Sequence, residues 1–339
     1  MPHAPPPGVY APAITLFNPD DTLDLASQSL YYAHLSRTGL AGLVILGTNA
    51  ETFLLTRDER ARLLQTARQA VGPSFPLIAG VSGHSTAQVL EFISDAHAAG
   101  SDYALLLPPA YFRAATTPAV IESFYLDIAA RSPLPIVLYN FPGVCNGVDL
   151  DSTTIESLAD KSENIVGVKL TCGSVGKVTR LAARFSPDRF AVFGGQSDFL
   201  VGTLASGGAG CIAAFANVAP RSVVRVYEAY VQGGEEGRKE ALKTHQLAAR
   251  AEAAVKGGIA TVKYGASLQT FVGAGIGGDL TGAEREKFVA ERTKARKPYG
   301  GVEGPAAEKI KQGLAEVIQL EKQLEDDAGQ KTNGAKMMT

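Results

Sequence analysis

Lys169 closes the β-branched run "NIVGVKL", a pattern that packs well as a buried strand but is a costly place for an ammonium. With Val168 and Leu170 as neighbours and Gly167 leaving space two residues earlier, its side chain is expected to be partly desolvated, which favours the uncharged amine. Such an amine attacks a ketone carbonyl to give an iminium. The positive nitrogen then draws electrons from the adjacent carbon and permits C–C bond making or breaking.

That chemistry needs a proton carrier. Tyr139 ends the preceding apolar run, in "PIVLYNFP", with a phenol that both donates and accepts; Thr48 and Tyr111 are candidates to extend the relay. Hydroxyl and backbone N–H groups around Thr48 and Asn49 suit the carboxylate of a keto acid. Plainer readings stand beside these: an ion pair for Lys169, a rim hydrogen bond for Tyr139, turn geometry for Thr48 and Asn49. No metal is expected, because the histidines (His3, His34, His84, His97, His245) lack ligand spacing. Cys145, Cys172 and Cys211 are too scattered for a CxxC site or a disulfide framework. No cofactor is expected either, the covalent group being an imine on Lys169.

These residues need a scaffold that gathers them. Apolar runs recur at "VYAPAITLF", "AGLVILG", "PLIAGVSG", "DYALLLPP", "PIVLYNFP", "NIVGVKL", "RFAVFGG" and "AGCIAAF", each followed by helical periodicity. Alternation of this kind implies a parallel sheet, and about eight units close an α/β (β/α)8 TIM barrel. An open doubly wound sheet is the alternative, weakened because no glycine-rich dinucleotide turn follows the first run. In such a barrel the chemistry sits at the C-terminal ends of the strands, where Thr48, Tyr111, Tyr139, Lys169 and Gly194 through Gln196 all fall. Thr56 with Glu59, Ser85 with Gln88, and Thr281 with Glu284 have capping-box spacing at helix starts.

After "FANVAP" the strand signals stop and helical segments follow. The expected division is a disordered head at 1–8, a catalytic barrel over 9–232, a C-terminal helical domain over 233–327 and a disordered tail at 328–339. "GAGIGG" at 273–278 joins two helical segments without a preceding strand and so reads as a helix connection.

A net charge of −2 with no basic stripe excludes a nucleic-acid binder. Apolar runs well short of the ~20 residues of a membrane helix leave small molecules as the expected partners. The start "MPHAPPPGVY" has no secretory pattern, so a cytoplasmic address is expected by default.

The motifs "GTNAE" followed by "LTRDER", then "PPAYF", "YNFP", "GVKLTCG" and "GCIAAFANVAP", in this order, resemble the dihydrodipicolinate synthase and N-acetylneuraminate lyase superfamily of class I, pyruvate-handling aldolases. The resemblance implies a (β/α)8 barrel with a C-terminal helical domain, assembled as a homo-oligomer, dimer or tetramer. It implies that Lys169 forms a Schiff base with pyruvate or a small 2-keto acid and that Tyr139 transfers protons. Thr48 would belong to the relay and, with Asn49, contact the substrate carboxylate. Tyr111 would complete the relay, across a subunit interface in many members, while Gly194 and Ile212 would line the Schiff-base pocket.

Two departures bear on substrate. The stretch "GVCNG" at 143–147 lacks the arginine with which the lysine-pathway enzymes bind aspartate semialdehyde, and Ala50 replaces a turn glycine, so a small local shift is expected. Asn49 and the missing arginine look more like 4-hydroxy-2-oxoglutarate and 2-keto-3-deoxy-sugar-acid aldolases. The expected function is therefore a lyase cleaving, or forming, a 2-keto-4-hydroxy acid from pyruvate and an aldehyde. The alternatives are 4-hydroxy-tetrahydrodipicolinate synthase, a catalytically silent keto-acid-binding relative and, more remotely, a metal-dependent lyase.

Overall fold

The structure, a computed structural model, describes residues 2–337. Eight short parallel strands close a barrel in sequence order: β1 (Gly8–Pro12), β2 (Gly42–Ile45), β3 (Leu77–Gly80), β4 (Tyr103–Leu106), β5 (Ile136–Asn140), β6 (Ile165–Leu170), β7 (Ala191–Gly194) and β8 (Gly210–Ile212). The helices α1 (Leu25–Leu35), α2 (Arg57–Val71), α3 (Thr86–Ala98), α4 (Pro118–Ala129), α5 (Ser152–Lys161), α6 (Val175–Arg184), α7 (Leu200–Ala205) and α8 (Pro220–Gln232) form the crossovers outside it. Beyond them come α9 (Gly234–Ala253), α10 (Ile259–Leu268), α11 (Thr270–Gly273), α12 (Gly282–Arg292) and α13 (Gly304–Met337).

Because side chains alternate across a strand, each strand feeds two cores. Tyr10, Val44, Ile78, Val137, Phe193 and Ile212 fill the barrel interior. Their neighbours Val9, Leu43, Ala79, Leu138, Val168 and Val192 pack outward under the helices. At about 1.5–3 kcal/mol for each large side chain removed from water, the two layers supply the main drive for closure. Lys169 lies between the outward-packed Val168 and Leu170 and therefore points into the barrel mouth.

Gly167 has a different role from the one expected. A Cβ there would lie 2.6 Å from the Ala191 carbonyl oxygen, so the glycine allows β6 to approach β7 at the irregular register beside Val137. Two helix starts follow the capping expectation: Thr56 and Glu59 form the reciprocal box, and the Ser85 side chain accepts from the Gln88 N–H. Thr281 makes no side-chain cap bond, because Gly282 enters α12 with φ +53° and redirects the first turn.

The head is not loose. Ala4 N–H donates to the Asp188 carbonyl at 3.4 Å, and Tyr103 and Tyr10 donate to the carbonyls of Ala4 and Pro6 at 3.3 and 2.7 Å, so the proline-rich segment lies across the N-terminal end of the barrel. At the other terminus α13 continues past residue 327 to Met337, with no proline to stop it; residues 338 and 339 lie outside the described residues. The C-terminal helices are tied to the barrel by charge. Glu321 of α13 accepts from the Ser222 N–H at 2.5 Å and the Arg221 N–H at 3.3 Å, taking up free donors at the start of α8. Arg292 of α12 pairs with Asp24 at 2.8 Å.

Candidate active site

Register on adjacent strands brings the expected chemistry together: Lys169 of β6 lies beside Tyr139 of β5 and Phe193 of β7. Lys169 is only 2% exposed, and its Nζ donates to the Tyr139 Oη at 3.1 Å. That phenol in turn lies 3.3 Å from Thr48 Oγ1. Amine, phenol and hydroxyl thus form a continuous chain along which a proton can pass. No carboxylate lies within ion-pair distance of Lys169 among the described residues.

The turn after β2 is held from several sides. Residues Thr48–Ala50 form a 3₁₀ turn, and Thr15 Oγ1 donates to the Ala50 carbonyl at 2.8 Å. Ala50 itself lies within the 3₁₀ turn, and the left-handed conformation falls one residue later, on Glu51, whose φ is +59°. Its carboxylate is buried, pairs with Lys263 at 2.5 Å, and accepts from the Arg296 N–H at 2.7 Å. Those contacts hold a conformation that costs about 1–3 kcal/mol and so set where Thr48 and Asn49 stand.

A cavity of about 220 Å³ opens above the lysine. Thr48, Asn49, Tyr139 and Lys169 line it, with Phe141 and Val144 from the β5 loop as an apolar wall. The 143–147 turn brings no arginine to it. Gly194 and Ile212 are not among its lining residues. A Cβ at Gly194 would meet Thr203 and Phe199 at 2.8 and 3.0 Å, so the glycine serves the packing of α7, and Ile212 is fully buried in the barrel interior. Gly195, one residue after Gly194, and Ala214, two after Ile212, line the cavity instead.

Tyr111 lies outside the cavity. It is 71% exposed, at the end of an aromatic series in which Phe53 stacks on His84, His84 meets Tyr111, and Tyr111 meets Phe112 edge-on. Within one chain it does not reach Tyr139. Among the described residues, no group of three or more His, Cys, Asp or Glu is gathered as for a metal ion, and no helix is long and apolar enough to cross a membrane.

Sequence reasoning put Gln196 at the barrel mouth but missed the other two polar residues of the cavity's far wall, Glu252 and Lys256. Glu252, at the end of α9, is 4% exposed and lines the cavity with Gln196 and Lys256. Ser197 Oγ donates to Glu252 Oε2 at 2.6 Å, and the Ser197 carbonyl lies 2.8 Å from His245 Nε2. Burial pushes the Glu252 carboxyl up to about 7 against the opposing Ser197 hydrogen bond. Lys256 donates to Gln196 Oε1 at 3.1 Å and pairs with Asp198. The one local signal was a glutamate set among alanines in "LAARAEAAV".

Residues 5–273 match the model of the dihydrodipicolinate synthetase family. A protein of Coccidioides immitis, provisionally named a mitochondrial 4-hydroxy-2-oxoglutarate aldolase, is 55% identical over 95% of this chain and 98% of its own. An L-threo-3-deoxy-hexylosonate aldolase of Hypocrea jecorina is 37% identical over 94% of this chain and 98% of its own. A crystal structure of a protein from Coccidioides immitis, provisionally assigned to the dihydrodipicolinate synthase family, superposes with a TM-score of 0.86 at 53% identity, covering 96% of this chain and 99% of that one. The mitochondrial name overturns the cytoplasmic address expected above. Lack of a secretory pattern separates export from retention and does not distinguish cytosol from mitochondrion.

Proposed function

The chain belongs to the dihydrodipicolinate synthetase family and is a lyase of the keto-acid aldolase kind, and from that premise we propose that it cleaves, or forms, a 2-keto-4-hydroxy acid through an imine on Lys169. The observation that carries this reading is the Lys169 amine, buried without a carboxylate partner among the described residues and bonded to the Tyr139 phenol.

Lys169 Nζ adds to the C2 carbonyl, and the carbonyl oxygen leaves as water. The C4 hydroxyl yields its proton to Tyr139 and its Thr48 partner while the C3–C4 bonding electrons move toward the iminium, releasing an aldehyde and leaving an enamine. Protonation at C3 and addition of water then free pyruvate and the amine. Thr48 and Asn49 orient the C1 carboxylate through hydroxyl and N–H groups.

Assembly completes the reading. The exposed aromatics Phe53, Tyr111 and Phe112 suit burial against a second copy, which would carry Tyr111 to a neighbour's relay within a dimer or tetramer. A mitochondrial site of action is in keeping with the relative's name. Without an arginine in 143–147, condensation with aspartate semialdehyde lacks its carboxylate anchor.

The test is borohydride reduction in the presence of pyruvate, read by peptide mass spectrometry, together with pyruvate release from a panel of 2-keto-4-hydroxy acids. A reduced adduct on Lys169 and turnover of a panel member are expected. An unmodified lysine would leave a protein that only binds keto acids.

A further inference from the structure

An imine on Lys169 is compatible with several departing aldehydes, and the cavity's far wall bears on which one. The pyruvate half is fixed near Lys169, Thr48 and Asn49, so the part of the substrate beyond C3 must extend toward the remaining polar groups. These are Thr171, whose Oγ1 is buried without a hydrogen-bond partner, Gln196, Glu252 and Lys256. Among the described lining residues the charged side chains are Lys169, Glu252 and Lys256. Lys169 is taken up by the imine. Lys256 already pairs with Asp198 and donates to Gln196 at the solvent-exposed edge of the cavity.

A substrate with a second carboxylate would therefore find no uncommitted cation there, and would face the Glu252 carboxyl across a small cavity. Anions brought together out of water repel each other, and an unpaired buried carboxylate is among the costlier groups to desolvate. A hydroxylated, uncharged chain meets the opposite situation. Ser197 donates to Glu252 Oε2 at 2.6 Å, which leaves Oε1 as the oxygen able to accept a hydrogen bond from a ligand hydroxyl. Gln196 lines the same cavity, and with its Oε1 held by Lys256 at 3.1 Å its amide N–H groups are the donors it can offer. The His245 contact to the Ser197 carbonyl ties the loop that carries Gln196 to α9, the helix that carries Glu252.

We infer that Glu252 is a specificity-determining residue that binds hydroxyls of the departing aldehyde, and that the substrate class is a 2-keto-3-deoxy sugar acid rather than a 2-keto-4-hydroxy dicarboxylate. This rests on the Schiff-base reading of Lys169. It goes further by assigning the cavity wall contributed by α9, which approaches the barrel from outside the eight strand–helix units.

The experiment compares kcat/KM, by pyruvate release, for a 2-keto-3-deoxyhexonate and for 4-hydroxy-2-oxoglutarate in the intact wild type, Glu252→Gln and Lys256→Met. The wild type is expected to favour the sugar acid. Assayed at about pH 8, on the ionised side of the Glu252 carboxyl, Glu252→Gln should lose about 10–100-fold in kcat/KM for it, mainly through KM, as expected for a hydrogen bond to a charged acceptor, and should lose less for the dicarboxylate. A wild type that prefers the dicarboxylate overturns the inference, as does a Glu252→Gln enzyme within about twofold of wild type on the sugar acid. A selective collapse of dicarboxylate turnover in Lys256→Met would make Lys256 a carboxylate anchor and overturn it too. Borohydride trapping of pyruvate on wild-type Lys169 separates this failure from failure of the parent reading: trapping with the wrong preference sinks only the Glu252 assignment, and absence of trapping sinks both.

Discussion

Among the described residues three lysines are buried, Lys169, Lys177 and Lys263, and the first and last of them sit in opposite electrostatic company. Lys263 on α10 has no exposed side-chain surface; it pairs with Glu51 at 2.5 Å and donates to the Lys294 carbonyl at 2.9 Å. Burial still pulls its ammonium below the ordinary lysine range, with Glu51 acting against that pull. Lys169 is nearly as buried but faces a phenol at 3.1 Å and a cavity large enough for a small keto acid. Desolvation alone does not make an amine reactive. What separates the two is whether a carboxylate compensates the charge and whether a carbonyl compound can reach the nitrogen.

Removing the proposed nucleophile has the largest consequence. Lys169→Ala should abolish pyruvate release and borohydride trapping while leaving far-UV circular dichroism and the thermal midpoint near wild type, since no ion pair is broken; appreciable turnover by this variant would end the contrast between the two lysines. Next in size, Tyr139→Phe removes the phenol that stands where Lys263 has a carboxylate. Loss of proton transfer should slow kcat by about 10²–10⁴-fold with the fold kept, and an unchanged kcat in steady-state assays would take Tyr139 out of the mechanism. Lys263→Met makes the converse cut. It strands Glu51 as an uncompensated buried charge, so urea unfolding should show a loss of about 3–5 kcal/mol. Folded Lys263→Met protein should still trap pyruvate on Lys169, and a stability equal to wild type would show that the pair contributes nothing net.

Much of the fold was legible because its signals are short-range. Strand runs such as "NIVGVKL" and cap spacings such as Thr56 with Glu59 are written within a few residues, and eight such repeats specify closure. Lys169, Tyr139 and Thr48 were legible for the same reason: each ends a strand or its following turn, and a closed barrel brings strand ends together. Tyr111 was read by the same rule but ends in solvent, because the loop after β4 carries its ring outward to His84 and Phe112. Gly194 and Ile212 were placed on the right strands, yet one serves the packing of α7 and the other lies in the barrel interior. The Gly167 reading failed because its constraint is the approach of a neighbouring backbone, which one strand's sequence does not display.

By itself, then, the sequence determined the alternation of strand and helix, the inward face of each strand, and a lysine and a tyrosine one strand apart at the same mouth. Only the tertiary structure decided which buried lysine acquired a counter-ion and which glutamate closed the cavity. The reason is the range of the forces involved. Backbone propensity and side-chain alternation act between near neighbours, whereas compensation of a buried charge depends on groups far apart in the chain. Glu51 meets Lys263, and Ser197 meets Glu252, only after the barrel has closed and the C-terminal helices have packed against it.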